Sequence, residues 1–441
     1  MRPASWAKHL NLQVFRGQGV RSTLGAQIFI LLLGASTGVM SARLLGPQGR
    51  GELAAAILWP SALLVLGSMG LNQSMVFHTG RRLFPASEIW TGGIVLAALR
   101  SAVVILAGLV VLPLVLRTYP RVVQISALAL LLTTPIWILS GCAGSLLQGR
   151  LKLAIFNATR AATPLFYAAA LGLVMLLRKA DLAYVVVAQI FGLVAGAGVT
   201  LGLLQKDGRP RLAWNGAACR ALAKYGLKTQ FESVNTYINQ RADQLLLSLF
   251  VPPRELGLYV VAVTLSSVVA FFPQAMGIVT LANGSNLPPV EAKQTIAHSF
   301  RLSFVWLFVT CAAIFVVAPW LVTFLFGARF AGAVLACRIL LPGTLFLGLR
   351  QVLYEGARAL GRPAVPSYAE GFGTVVTIVG LSLLLPRFGF VGAAIASTFA
   401  YGTSLLFILL IFNRGLGMGF RRLFLATRNP LSSGQEFSLQ R

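Results

Sequence analysis

Five arginines stand where charge is costly. Arg100, Arg160, Arg241, Arg338 and Arg350 each lie inside a long apolar run. A cation at the centre of a bilayer costs at least ~2.5 kcal/mol, so each needs a wet cavity, a partner or a route to the interface. A guanidinium is also the side chain best suited to phosphate, because its planar fork can hold two oxygens at once. Arg100, Arg160, Arg338 and Arg350 are therefore candidate contacts for an anionic substrate. The competing readings are a packing partner for Arg100, snorkelling to the interface for Arg160, and an ion pair with Glu355 for Arg350.

A second group of polar residues sits between 225 and 250. At 100° per residue, Lys228, Glu232, Asn235, Asn239 and Asp243 share one helical face, with Arg241 opposite. Such a stripe predicts the wall of a central cavity; its structural alternative is a polar seam between packed helices. Glu232 and Asp243 are the candidates for binding a coupling proton or cation. Gln148, Glu355, Arg358 and Glu370 fall near the inner ends of their runs and are candidates for an inner gate. Cys142, Cys219, Cys311 and Cys337 are scattered with no CxxC pattern, so neither a metal nor a disulfide framework is expected. The segment Gly46–Glu52 is glycine-rich but lacks the spacing of a phosphate-binding loop. It reads as a turn between helices, with Glu52 in the first turn of the second. No cofactor is implied, and no nucleotide motif offers a source of energy other than a gradient.

The elements that hold these residues follow from composition. Of 441 residues, 57% are hydrophobic and 11% charged, and the mean hydropathy is +0.79. A soluble domain carries about 25% charged residues, so much of this surface must face lipid. Twelve runs are long enough to cross: Ser22–Leu45, Leu53–Phe77, Ile89–Leu116, Val122–Leu147, Leu153–Leu177, Leu182–Leu204, Tyr225–Phe250, Gly257–Ala282, Phe300–Phe326, Ala331–Tyr354, Val365–Leu385 and Phe390–Phe412. Their length predicts helices rather than barrel strands. Thirty-seven Lys and Arg face eleven Asp and Glu. Because the cations sit in short loops, they indicate orientation and attraction to anionic headgroups, and no nucleic-acid partner is expected. Counted by side, 23 of these cations fall with the two termini and nine opposite. Both termini are expected in the cytoplasm, and the N-terminus carries no cleavable signal pattern.

The two halves echo each other. Pro47 and Gly51, after the first run, match Pro253 and Gly257 after the seventh, at an offset of 206 residues. Leu147–Arg150 matches Tyr354–Ala357 at an offset of 207. Six runs per half keep both halves in the same orientation, so this is a parallel repeat. The expected organisation is an arm (1–21), an N-lobe (22–204), a linker (205–224), a C-lobe (225–412) and a tail (413–441) that Arg421 and Arg422 anchor at the interface. The fold class is an all-α membrane protein: twelve transmembrane helices in two pseudo-symmetric six-helix lobes around a central cleft.

Three blocks carry a family resemblance. The stretch from Arg43-Leu-Leu-Gly-Pro-Gln-Gly-Arg-Gly-Glu to Trp59-Pro60 resembles the first inter-helix region of bacterial polysaccharide exporters. So does Arg241-Ala-Asp-Gln-Leu-Leu-Leu followed by Leu256-Gly-Leu-Tyr-Val-Val-Ala262. Gly361-Arg-Pro363 through Leu385-Pro-Arg-Phe-Gly-Phe-Val-Gly-Ala-Ala394 is similar to that family's last two helices. The chain, from Arg16 to Phe412, resembles the Wzx-type O-antigen and polysaccharide flippases of the superfamily that includes MATE drug exporters and the lipid II flippase. The resemblance implies an undecaprenyl-pyrophosphate-linked oligosaccharide as substrate, moved across a bacterial inner membrane for lipopolysaccharide or related polymers. It also implies membrane lipids and polysaccharide polymerase or ligase machinery as partners. Two rivals stand beside it. A MATE-like exporter of small cations would favour acidic cavity residues, and the first run has none. A membrane polymerase or ligase would need a large loop for chemistry, and no connection exceeds roughly 25 residues, so the chain is not expected to be an enzyme.

Overall fold

The computed structural model describes residues 18–208, 210–285, 287–362, 364–415, 417–419 and 423–424, apart from the side chains of 18–22, 24, 231, 232, 282 and 283. The expected N-terminal arm up to residue 17, the interfacial anchor at Arg421 and Arg422, and the side chain of Glu232 lie outside the described residues. Among the described residues all regular structure is helical, and nine helices are long and apolar enough to cross a membrane. Two of the nine are really pairs. The helix over 18–66 turns at Gly46 (φ 69°, ψ −177°), and that over 364–415 turns at Gly389 (φ 55°, ψ −139°). Both angles belong to the left-handed side of the map, where glycine pays no steric penalty.

Dividing at these glycines gives α1 (18–45) and α2 (47–66), then α3 (Leu71–Gly80), α4 (Ala86–Val115), α5 (Arg121–Leu132), α6 (Thr134–Gly149), α7 (Leu153–Leu176) and α8 (Leu182–Lys206). The second half holds α9 (Gly216–Phe250), α10 (Pro253–Ser267), α11 (Phe271–Gly284), α12 (Pro289–Phe326), α13 (Ala333–Ala359), α14 (364–388) and α15 (390–415). With α2–α3, α5–α6 and α10–α11 each counted as one broken crossing, and the polar α9 included, the described residues make twelve crossings, consistent with the expected number. The seventh helix starts at Gly216, before the expected Tyr225. Asn215 makes that possible by capping it, its side-chain oxygen accepting from Ala217 N (2.9 Å) and Ala218 N (3.3 Å).

Each break has a local cause. Pro135 lacks an N–H, so the helix before Thr133 cannot run on unchanged, and Pro273 follows the 3₁₀ turn at Val268–Ala270 in the same way. The break at 67–70 contains no proline. There Met69 (φ 46°) and Gly70 (φ 56°) adopt left-handed backbone between α2 and α3.

Small residues set how closely the helices approach. On α8, a Cβ at Gly192 would stand 2.7 Å from Tyr167, and one at Gly196 would stand 2.1 Å from Thr163 Oγ1 on α7. The halves meet by the same device. A Cβ at Gly51 would stand 1.7 Å from Pro253 O, and one at Gly257 would stand 1.9 Å from Pro47 O. These are the residues matched by the repeat, and the contact between them is reciprocal. Beside it, Arg43 donates through Nε to Leu325 O (2.6 Å) and through Nη2 to Phe324 O. A guanidinium at the C-terminal end of α12 answers both the bare carbonyls and the helix dipole.

A second glycine pair lies toward the other rim, which is rich in Arg81, Arg82, Arg150, Lys152 and Lys206 and is called here the basic rim. A Cβ at Gly70 would stand 2.2 Å from Gly226 O, and one at Gly226 would stand 2.2 Å from Met69 O. Gly51 and Gly70 are 19 residues apart, or roughly 28 Å along a helix axis, close to the apolar thickness of a bilayer. One crossing therefore touches the second half at two widely separated points. At the basic rim the connection between halves is clipped to the first half, with Asp207 between Arg150 (3.1 Å) and Lys152 (3.4 Å).

Gly51→Ala or Gly257→Ala should force the two crossings apart and destabilise the protein by about 1–3 kcal/mol, the usual cost of overpacking, seen as a fall in Tm. Gly198→Ala, at a position with nothing within 4 Å, should leave Tm unchanged or slightly raised.

Candidate functional site

The break at 67–70 leaves backbone groups without partners in their own helix, and two side chains supply them. Gln230 on α9 donates through Nε2 to Val65 O (2.8 Å) and Leu66 O (2.9 Å). Its Oε1 accepts from Ser68 Oγ (2.7 Å) and Gly70 N (2.9 Å). Arg100 on α4 donates through Nε to Gly67 O (2.9 Å). Arg100 is only 4% exposed, and its Nη1 is buried with no protein acceptor.

Arg100 is also part of the wall of a cavity of about 270 Å³ between α2–α3, α4, α6 and α9. Besides Arg100, its polar wall includes Asn72 and Gln73 from α3 and Ser233, Tyr237 and Gln240 from α9, with Trp137 of α6 as a second aromatic ring beside Tyr237. Tyr237 is held by donation to Leu58 O (3.1 Å). Among the described side chains that line it, the cavity has one cation and no carboxylate. It suits an anion surrounded by hydroxyl or amide groups.

The predicted stripe on α9 faces elsewhere. Asn235 Oδ1 accepts from Thr374 Oγ1 of α14 (3.1 Å), and Asn239 Nδ2 donates to Glu370 O of the same helix (3.3 Å). Asp243, 5% exposed, accepts at Oδ2 from Tyr259 Oη of α10 (2.5 Å) and Ser397 Oγ of α15 (3.3 Å), and at Oδ1 from Gln244 N (2.7 Å). These three residues bond α9 to α10, α14 and α15, and none of them lines that cavity. Lys228 is exposed. Arg241 donates to Gln244 Oε1 (3.0 Å).

The other predicted arginines are separate from Arg100. Arg350 on α13 is buried and lies 3.0 Å from Glu370 Oε2, beneath the rings of Tyr354 (5.1 Å) and Tyr401 (5.8 Å). Its acidic partner is thus Glu370, not Glu355, because Glu370 projects from the facing α14. Tyr354 Oη also donates to Glu370 Oε2 (2.9 Å). Glu355 pairs one turn along its own helix with Arg358 (2.9 Å). Arg160 is exposed, donating to Gln27 Oε1 of α1 (2.8 Å) and resting over Phe156 (5.7 Å). Arg338 donates to Phe315 O of α12 (3.0 Å) and stacks on the Phe315 ring (5.0 Å). Of the proposed gate, Glu355, Arg358 and Glu370 gather at α13 and α14, while Gln148 belongs to α6.

Sequence reasoning missed the other face of α9. Gln230, Ser233, Tyr237 and Gln240 recur at helical spacing as regularly as the stripe that was noticed, and this face meets the cavity and the broken crossing.

The model of the polysaccharide biosynthesis protein family matches residues 40–335, more than half of the chain. The chain belongs to that family. It is 22% identical over 222 residues to a probable low-salt glycan biosynthesis flippase, Agl15, of Haloferax volcanii, covering 49% of this chain and 47% of the relative. The chain spans about half the length of the curated relatives it matches. Among solved structures, the lipid II flippase MurJ in an inward closed conformation matches with a TM-score of 0.75 at 15% identity, over 88% of this chain and 86% of that one. An inward-facing multidrug resistance MATE family transporter matches with a TM-score of 0.74 at 12% identity, over 88% and 94%. These two likenesses establish the fold: a multi-pass all-α membrane protein built like those transporters.

Gln230→Leu should leave the Leu66 carbonyl and the Gly70 N–H without partners, while Val65 O keeps the Ser68 N–H (3.0 Å). Each unpaired buried group costs about 1–3 kcal/mol, so a large loss of thermal stability in detergent is expected. Gln230→Glu keeps the acceptor and should fall between wild type and the leucine variant.

Proposed function

We propose that this protein carries a polyprenyl-pyrophosphate-linked oligosaccharide from the cytoplasmic to the outer leaflet of a bacterial inner membrane. The observation that carries the reading is the Arg100 guanidinium: buried in a cavity between the halves, with one donor already fixed on Gly67 O and another unpaired. An arginine held by one nitrogen presents the rest of its fork in a set direction, which suits a phosphate oxygen. Sugars and phosphates cannot enter hydrocarbon unaided, whereas the lipid tail needs only the bilayer beside the protein. Family membership and the named glycan flippase among the relatives support the same reading.

In this reading the basic rim is cytoplasmic, as are both termini, by the 23-to-nine bias of cations. The moving units are residues 22–204 and 225–412, joined through 205–224, and they part alternately at the Gly51–Gly257 and Gly70–Gly226 contacts. Arg160, Arg338 and Arg350 would reach substrate only after exchanging the protein partners they have here. Polymerase or ligase machinery would consume the flipped product. The MATE-like fold favours a rival reading, export of a small cation, but Arg100 in the cavity wall would repel such a substrate.

Coupling falls to Asp243 in this proposal. Among the described residues its partners are neutral donors, Tyr259, Ser397 and a backbone N–H, contributed by three helices. A carboxylate in that position could trade a proton or cation as α9, α10 and α15 shift, biasing one arrangement over the other. Glu232 would assist nearer the basic rim.

Two outcomes are expected. Arg100→Ala should reduce delivery of surface polysaccharide at least tenfold with normal protein abundance, and Arg100→Lys should recover only part, since it keeps the charge and loses the fork; unimpaired delivery by the alanine variant would reduce Arg100 to a helix cap. In vesicles with an imposed proton or sodium gradient, Asp243→Asn should abolish the gradient dependence of transport, whatever it does to the basal rate. Full gradient dependence in that variant would remove Asp243 from the coupling role.

A further inference from the structure

Four tryptophans in the crossings are used by the protein itself. Trp59 donates through Nε1 to Ser248 Oγ (3.0 Å), and Trp90 is buried in the core. Trp306 packs against Phe272 (5.0 Å between ring centres) and Trp320 stacks on Phe324 (4.9 Å). Trp137 on α6 is the exception. It is 43% exposed in mid-crossing, and among the described residues its indole N–H has no acceptor and its ring no stacked partner. It lines two cavities: the one that has Arg100 in its wall, and a second of about 280 Å³ inside the first half, between α2, α6, α7 and α8. Bordered by open space from both, the ring is not spent on core packing.

The break in the crossing puts Trp137 there. Pro135 opens α6, and Trp137 N donates to Thr133 O (3.1 Å), so the first turn of the new helix fixes the backbone that carries the indole. The wall of the Arg100 cavity also holds Asn72 and Gln240, whose amides make no hydrogen bond to the described residues. Each amide can both donate and accept. A pyranose ring matches this set. One of its faces is made of C–H groups, which the electron-rich face of an indole attracts, and its rim of hydroxyls needs donors and acceptors. A phosphate attached to that ring would find Arg100 in the same wall. Ligand sites run roughly 300–1,000 Å³, so a cavity of about 270 Å³ suits a single ring rather than a whole oligosaccharide.

We propose that Trp137 is the stacking platform for the sugar attached directly to the pyrophosphate, with Asn72 and Gln240 meeting that sugar's hydroxyls. This rests on the flippase reading above and adds a specificity to it. The group next to the lipid phosphate is recognised as a ring, by its apolar face, and not only as a set of hydroxyls.

The test is equilibrium binding of three probes to the full chain in nanodiscs: polyprenyl pyrophosphate alone, the same lipid bearing one hexopyranose, and the same lipid bearing an open-chain hexitol, which offers hydroxyls without a ring face. Wild type should bind the hexopyranose lipid about fivefold more tightly than the hexitol lipid, the scale of one aromatic contact, and both more tightly than the bare lipid. Trp137→Leu, checked for folding by its Tm, should bring the hexopyranose lipid down to the affinity of the hexitol lipid. Trp137→Phe, which keeps a ring face, should retain most of the preference. Equal wild-type affinity for the ring and the open chain would overturn the role of Trp137 while leaving the flippase reading intact. So would a full ring preference in the folded leucine variant. Failure of wild type to bind any of the three lipids would overturn the flippase reading and the platform with it. Should the leucine variant not fold, Trp137→Met, which keeps bulk without a ring, makes the same comparison against Trp137→Phe.

Discussion

Backbone groups exposed by a broken helix cannot be left bare inside a membrane, and the interruption at 67–70 is answered by side chains from two other crossings. Gln230 uses both ends of its amide there, and Arg100 adds one nitrogen. This requirement pulls α9 and α4 onto the second crossing. It gives α9 two allegiances, since the same helix bonds α14, α10 and α15 through Asn239 and Asp243. The cavity between the halves exists because the break turns the chain aside and polar groups gather around the turn.

Charge is distributed unevenly around that frame. In the second half the buried Arg350 has a carboxylate beside it, Glu370, under two tyrosines, although its Nε makes no hydrogen bond, and Asp243 is held by three donors. In the first half Arg100 keeps an unpaired donor. A buried guanidinium left partly unsatisfied is a cost to stability, of the kind expected where a protein reserves hydrogen-bonding capacity for something that comes and goes.

The crossings were legible in the sequence because long apolar runs leave helices as the economical solution. The offset between Pro47–Gly51 and Pro253–Gly257 likewise pointed to residues that touch across the halves. Breaks marked by Pro135 and Pro273 had a visible sign. The break at 67–70 did not, since Gly67-Ser-Met-Gly70 resembles many helical stretches, and its left-handed Met69 is sustained by partners far away in sequence. Arg100 was legible from its cost in an apolar run, yet its hold on Gly67 O was not. On α9 two polar faces alternate, and helical periodicity alone cannot say which neighbour each will meet. The stripe through Asn235, Asn239 and Asp243 meets α10, α14 and α15, while the face through Gln230 and Tyr237 meets α2 and the cavity.

The reciprocal contact of Gly51 with Pro253 and Gly257 with Pro47 has a historical reading. Two copies of a six-helix ancestor related by a two-fold axis along the membrane normal would make that contact twice, each lending a glycine and receiving a carbonyl. Such an isologous interface closes on itself and stops at a dimer. In a homodimer every side chain comes in duplicate, so a cation near the axis would face its own copy and be repelled. Gene fusion lifts that restriction. At the repeat offsets of 206 and 207 the counterparts of Arg100 are Trp306 and Leu307, so one half could acquire a cation while the other kept an apolar side chain. The lopsided cavity is a property that a symmetric ancestor could not have had.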